Sequence, residues 1–248
     1  MEHTILRRTI TELVDDNYVY AHVLYYFGIR FYEYADDTLE QVCRRRGLNV
    51  SQVVHSLEYA LQQKNTKSIT LETLPVDLII EFLRHTHAVF VKQTLPYMAH
   101  LVETLRYESY PCIKDLQLLF PLFVEDFILH IHEEEDTLFN YVALLQKAQQ
   151  HKVSLGKVFF ELENKSVQHF ADDHETHDDE MAGIREITNN YTLPAGSSQH
   201  LKVVFAELKS FETELHTHAR IENEILFPKV LELEKEVREV VKQIAVLN

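Results

Sequence analysis

The chain has 248 residues, 46% of them hydrophobic, with only 5 Gly and 6 Pro. It is long enough to bury a substantial core and poor in turn-forcing residues, which favours long helices over a many-stranded sheet. With 24 basic against 39 acidic residues the formal net charge is −15, which argues against nucleic acid and anionic membrane surfaces as partners, because both reward clustered Lys and Arg.

The residues after Arg7-Arg8, from Thr9 to Asp16, are too polar for the apolar stretch of a secretory signal, and no segment approaches the length of a membrane span. Asp15-Asp16-Asn17 can open a first helix that runs through Ala21 and Leu24 and stops at Gly28. Thr38-x-x-Gln41 is a capping-box pattern, and the short helix it starts ends at Gly47, a residue that tolerates the left-handed backbone of a C-terminus. Asn49 or Ser51 starts a third helix through Val53, Val54, Leu57 and Leu61. The polar stretch 62–70 then reads as a linker, so the expected division is a small helical N-terminal domain, 1–70, followed by a second domain, 71–248. Tyr25, Tyr26, Phe27, Phe31, Tyr32 and Tyr34 make the first domain rich in aromatic residues, for core packing or for a contact in a homodimer.

Four long helical stretches follow. The first starts at Pro75 and runs to about Tyr107, and the second runs from Pro111 to about Gln150. The third covers roughly 154–190 and is broken by Leu193-Pro194-Ala195-Gly196-Ser197-Ser198; the fourth continues close to the end. Long helices joined by short turns predict an all-α fold, an up-down-up-down four-helix bundle.

Two of these helices carry the same motif. His130-x-x-x-Glu134-x-x-x-Leu138-Phe139 recurs as His218-x-x-x-Glu222-x-x-x-Leu226-Phe227. Positions four apart share a helix face, so each copy sets an imidazole beside a carboxylate on an otherwise apolar stripe, with Phe127 and Ile131 near one and Phe211 and Leu215 near the other. A carboxylate embedded in this way needs a cation. The other two helices offer His87 and His174, also on apolar stripes, and the separation from His87 to His130 nearly equals that from His174 to His218. Pseudo-two-fold symmetry would bring all six groups to one level. Four imidazoles and two carboxylates suit iron, manganese or zinc, and the lack of thiolates argues against structural zinc or an iron–sulfur cluster. Six ligands suit two ions that share bridging carboxylates, His87 and His130 serving mainly one ion, His174 and His218 the other. His85 would exchange with His87 if the helix phase were shifted. Asp173, His177 and Asp178 either add to the site or form a polar helix margin. Within the acidic run 133–136, Glu133 and Asp136 are expected to face solvent, as are His100, His132, His151, His169 and His216.

The assembled residues resemble the iron–sulfur cluster repair di-iron proteins, the repair of iron centres family, which join a small N-terminal domain to a hemerythrin-like four-helix bundle. The matching stretches are Thr86-His87 with Leu95-Pro96, His130-Ile131-His132-Glu133-Glu134, Asp172-Asp173-His174-Glu175 with Ile184 to Asn190, and Leu215-His216-Thr217-His218 through Glu222 to Pro228. The resemblance implies that His87, His130, Glu134, His174, His218 and Glu222 hold two Fe ions as a bridged di-iron centre, with a small diatomic ligand (O2 or NO) and iron–sulfur proteins as partners. Gly28-Ile29-Arg30-Phe31 also matches the family's N-terminal domain, but the Cys-Cys pair that follows there is replaced by Tyr32-Glu33-Tyr34-Ala35. Cys43 and Cys112 lie far apart and read as idle thiols in a reducing, cytoplasmic setting.

Three functions compete at this level. One is a stress-response protein that binds or reduces O2 or NO, or supplies iron for cluster repair. Another is a hemerythrin-like module that binds or senses these gases without catalysis. A metal-free scaffold that pairs its buried Glu and His internally is the third.

Overall fold

The computed structural model describes residues 5–17, 19–31, 33–34, 36–63, 71–106, 110, 112–150, 152–176 and 179–247, the side chains at 19, 22, 60–63, 155, 173–176 and 244–247 excepted. The fold is an all-α helical bundle. Its helices are α1 (Ile10–Asp16), α2 (Val19–Tyr26), α3 (Leu39–Arg46), α4 (Val50–Gln63), α5 (Val76–Val89), α6 (Leu95–Glu103), α7 (Cys112–Glu134), α8 (Asn140–Gln149), α9 (Leu155–Asn164), α10 (Val167–Thr176), α11 (Ala182–Ile187), α12 (Gln199–Ile221) and α13 (Phe227–Leu247). There is no strand among the described residues, only an isolated bridge between Thr9 and Thr38. No described helix is long and apolar enough to cross a membrane.

By compactness the chain forms two units. The first comprises Met1–Ile69, Pro96–Gln117 and Arg185–Phe211, and the second Thr70–Leu95, Leu118–Ile184 and Glu212–Asn248.

In the first unit Thr38 and Gln41 form the expected capping box, and Gly47 ends α3 with a φ of 66°. Asn49 caps α4 through Oδ1, which accepts from Gln52 N–H at 3.2 Å. The helix expected to open at Asp15–Asn17 instead finishes there. Thr9 and Glu12 make a second capping box that starts α1, Asn17 closes it, and α2 begins afresh at Val19. The signal was present as Thr9-x-x-Glu12, the same pattern as at Thr38. Helices α2 and α4 pack together.

The second unit is built on an apolar core that includes Ile79, Leu83, Leu138, Phe139, Val142, Leu145, Val158, Leu226, Phe227 and Val230. Helix α5 starts one residue later than expected, with Pro75 as its N-cap. The third stretch is not one helix but α9, α10 and α11. Lys165 adopts extended backbone, and the N-terminus of α10 is capped from far along the chain: the buried Glu234 carboxylate accepts from Val167 N–H at 2.8 Å. Glu234 is held in turn by Arg238 at 2.7 Å, which also donates to the Leu162 carbonyl at 2.8 Å. A charged acceptor on an otherwise unsatisfied helix N–H is a strong bond, and it makes a break where periodicity alone implies continuity.

Among the described residues three single-turn π segments interrupt the long helices, at Phe90–Thr94, Glu135–Phe139 and Glu222–Leu226. Leu95 N–H bonds to the Phe90 carbonyl and Phe227 N–H to the Glu222 carbonyl, each five residues back. Pro96 and Pro228 each lie two residues beyond such a turn. A proline ring collides with the carbonyl four residues back and cannot donate; a widened turn relieves both problems. The extra residue also turns neighbours inward together, so Leu138 and Phe139, and likewise Leu226 and Phe227, are all buried.

Candidate metal centre

The π turns stand at the repeated motif. Glu134 is the last residue of α7, directly before the second turn, and Glu222 is the first residue of the third. His218 lies in the last turn of α12 and His87 near the end of α5. Their relative exposures are 2% for His87, 7% for Glu134, 8% for His218 and 1% for Glu222. One ligand atom from each of the four lies within 4.8 Å of the others. His87 Nε2 is 3.0 Å from His218 Nε2 and 3.4 Å from Glu134 Oε2, and His218 Nε2 is 2.9 Å from Glu222 Oε1.

The electrostatics of this cluster are unfavourable for the protein alone. Burial, and then the charge of Glu222 beside it, push the Glu134 carboxyl well above the usual carboxylate range. Burial and the neighbouring His218 lower the His87 pKa, against the opposing pull of Glu135. Among the described residues neither Glu134 oxygen nor His218 Nδ1 has a partner within ordinary hydrogen-bond geometry. A cation here would satisfy these atoms and reverse the repulsion between the two acids. A cavity of about 50 Å³ adjoins all four groups and His130, several times what one water needs.

The other expected ligands differ. His130 lines the cavity but stays half-buried, stacked near Phe127 with centroids 6.5 Å apart, and it is not among the four converging groups. The His174 side chain lies outside the described residues, as does that of Asp173; His177 and Asp178 fall outside altogether. His87 Nε2 meets His218 across the cluster. His85 is exposed, so the helix phase that favours His87 is the right one. His132, His169 and His216 face solvent, His100 is half-buried beside Tyr25, and His151 lies outside the described residues. Sequence reasoning passed over Glu135, whose Oε1 lies 2.9 Å from His87 Nδ1. Only its place in an acidic run was visible.

Fold and donor set together define a helical bundle with a buried histidine–glutamate cluster of the kind that holds non-haem metal ions. No family model matches the chain. It is similar to the iron-sulfur cluster repair protein ScdA of Staphylococcus epidermidis, 23% identical over 193 residues that cover 76% of this chain and 82% of that protein. ScdA of Staphylococcus haemolyticus is 20% identical over 224 residues, 89% of this chain and 96% of that one. The iron-sulfur cluster repair protein YtfE of Yersinia pseudotuberculosis is 24% identical over 197 residues, 78% and 83% of the two. The resemblance carried by the motifs is thus borne out: over most of its length the chain is similar to proteins named for iron–sulfur cluster repair.

Proposed function

We propose that the chain is a non-haem di-iron protein of iron–sulfur cluster repair, in which His87, His130, Glu134, His174, His218 and Glu222 hold two bridged Fe ions. The observation that carries this reading is the convergence of two buried carboxylates and two imidazoles within 4.8 Å. It is supported by the Glu134 oxygens, which have no hydrogen-bond partner among the described residues, and by relatives named for cluster repair. A metal-free scaffold would leave Glu134 with only the long 3.4 Å contact to His87 and its carboxyl held well above the usual carboxylate range by burial.

When bound, the ions would supply redox chemistry and an open position for O2 or NO. The protein's own part is to exclude water, to aim the nitrogen and oxygen donors, and to place the two acids where each can serve both ions. In this proposal residues 1–70 are an appended helical domain, 71–248 form the metal-carrying bundle, and the protein works in the cytoplasm. Its partners are a diatomic ligand, damaged iron–sulfur proteins and a second copy of the chain. Of the N-terminal aromatics Tyr26 remains 54% exposed and is where a homodimer contact would be sought.

One observation favours binding or sensing of O2 or NO without turnover. Where the family has its thiol pair this chain has Tyr32-Glu33-Tyr34-Ala35, and the Tyr34 hydroxyl accepts from Arg46 at 3.2 Å. A phenol held in this way offers no soft ligand and no dithiol.

Metal analysis after iron-replete expression is expected to give two irons per chain, and less than about one metal of any kind would sink the proposal. Anaerobic stopped-flow mixing of the reduced protein with NO then separates the two readings: turnover to a reduced product supports repair chemistry, and a stable adduct supports a sensor.

A further inference from the structure

We propose that Glu135 is a positioning residue that fixes the tautomer of His87, so that Nε2 is the nitrogen presented to the metal. The inference rests on the metal-binding reading above and concerns how one ligand is made ready. Consecutive residues on a regular α-helix point about 100° apart and do not share a partner. Glu134 and Glu135 nevertheless both reach His87. Glu134 Oε2 stands 3.4 Å from Nε2, and Glu135 Oε1 2.9 Å from Nδ1 on the opposite edge of the ring. The two carboxylates straddle the junction of α7 with the π turn Glu135–Phe139, where the helix widens.

The same turn controls the ring's plane. Phe139, its last residue, stacks on His87 with centroids 5.8 Å apart and planes 7° apart. The imidazole is therefore held by its face and by one edge, and only the Nε2 edge is turned towards His218 and Glu222. A neutral imidazole carries one N–H, and an ionised carboxylate only accepts. The contact to Glu135 is the shorter of the two, 2.9 Å against 3.4 Å to Glu134, and so favours the proton on Nδ1, donated to Glu135, which leaves the Nε2 lone pair directed at the cluster. Histidine ligands generally hand their second nitrogen to such an outer carboxylate. Glu135 suits that outer role because its side chain is 32% exposed, against 6% for Glu134.

The test uses the full chain, the variants E135A and E135Q, and two readouts. In metal-free protein, 15N chemical shifts of the His87 ring report the tautomer; anaerobic Fe(II) titration reports affinity. Wild type is expected to hold the proton on Nδ1. E135A is expected to show mixed tautomers and an Fe(II) affinity about tenfold to a hundredfold weaker. In E135Q the amide oxygen still accepts, so the tautomer is kept and the affinity loss is smaller. An E135A protein with unchanged ring shifts and unchanged affinity would overturn the assignment. If wild type took up no Fe(II), the metal reading would fall, while the ring shifts would still decide whether Glu135 sets the tautomer.

Discussion

At 218–227 the imidazole and the carboxylate of the repeated motif meet, 2.9 Å apart and both buried. At 130–139 the carboxylate also meets an imidazole of another helix. Glu134 turns towards His87, while His130 lies half-buried near Phe127. Identical spacing thus yields two different pairings. A separation of four residues permits contact on a helix but does not compel it; what decides is the group that a neighbouring helix brings. Here α5 delivers His87 between Glu134 and His218, and so the second copy closes on itself while the first opens towards a neighbour.

The largest effect should come from breaking the closed copy. Relative to metal-loaded wild type, His218→Ala and Glu222→Ala should each abolish metal uptake and destabilise the protein by roughly 3–5 kcal/mol, as expected when a buried charge loses its partner. His130→Ala, in the open copy, should weaken uptake without abolishing it. Metal content and urea unfolding of the three variants measure this, and equal losses at His130 and His218 would erase the distinction.

A sharper contrast is one of sign. Without metal, Glu134→Gln removes a buried acid that repels Glu222 and should raise stability by on the order of 1 kcal/mol; with metal present it should remove the metal-dependent gain. The pH dependence follows. Because the folded pKa of Glu134 is raised above 4.5, the folded apoprotein binds more protons than the unfolded chain from that pH upwards, and its stability falls as pH rises through the raised value. Denaturant midpoints across pH for wild type and E134Q, each with and without Fe(II), would expose any failure of the reversal.

The smallest effect concerns His200 in the first unit, a half-buried histidine set edge-on to Phe31 at 5.9 Å. Burial lowers its pKa from 6.5 to about 4. Between those values the unfolded chain binds the extra proton, so this residue makes stability rise with pH, opposite in sign to Glu134. His200→Leu should flatten the acid limb between pH about 6.5 and about 4, and an unaltered slope would show that His200 is not what titrates there.

Much of the bundle was legible because its signals are local. Thr38, Gly47 and Pro75 mark helix ends through groups within a turn of themselves, and Thr9-x-x-Glu12 carried a further start in the same code. The His–Glu spacing likewise put acids on apolar stripes, where they had to be buried. The break at Lys165 was not legible, because the carboxylate that caps α10 belongs to Glu234, 67 positions away. The π turns were half-written, two in the prolines that follow them and the third with no such mark.

Sequence alone thus determined the all-helical class, the repeated motif and the need for charge compensation inside the bundle, since each follows from side-chain spacing and the cost of burying a carboxylate. Only the tertiary structure decided that His87 meets His218, that Glu135 grips the far edge of His87, and that the His130 ring lies near Phe127. Those outcomes depend on which helix faces which and on where a turn widens, and such long-range geometry leaves no trace in periodicity.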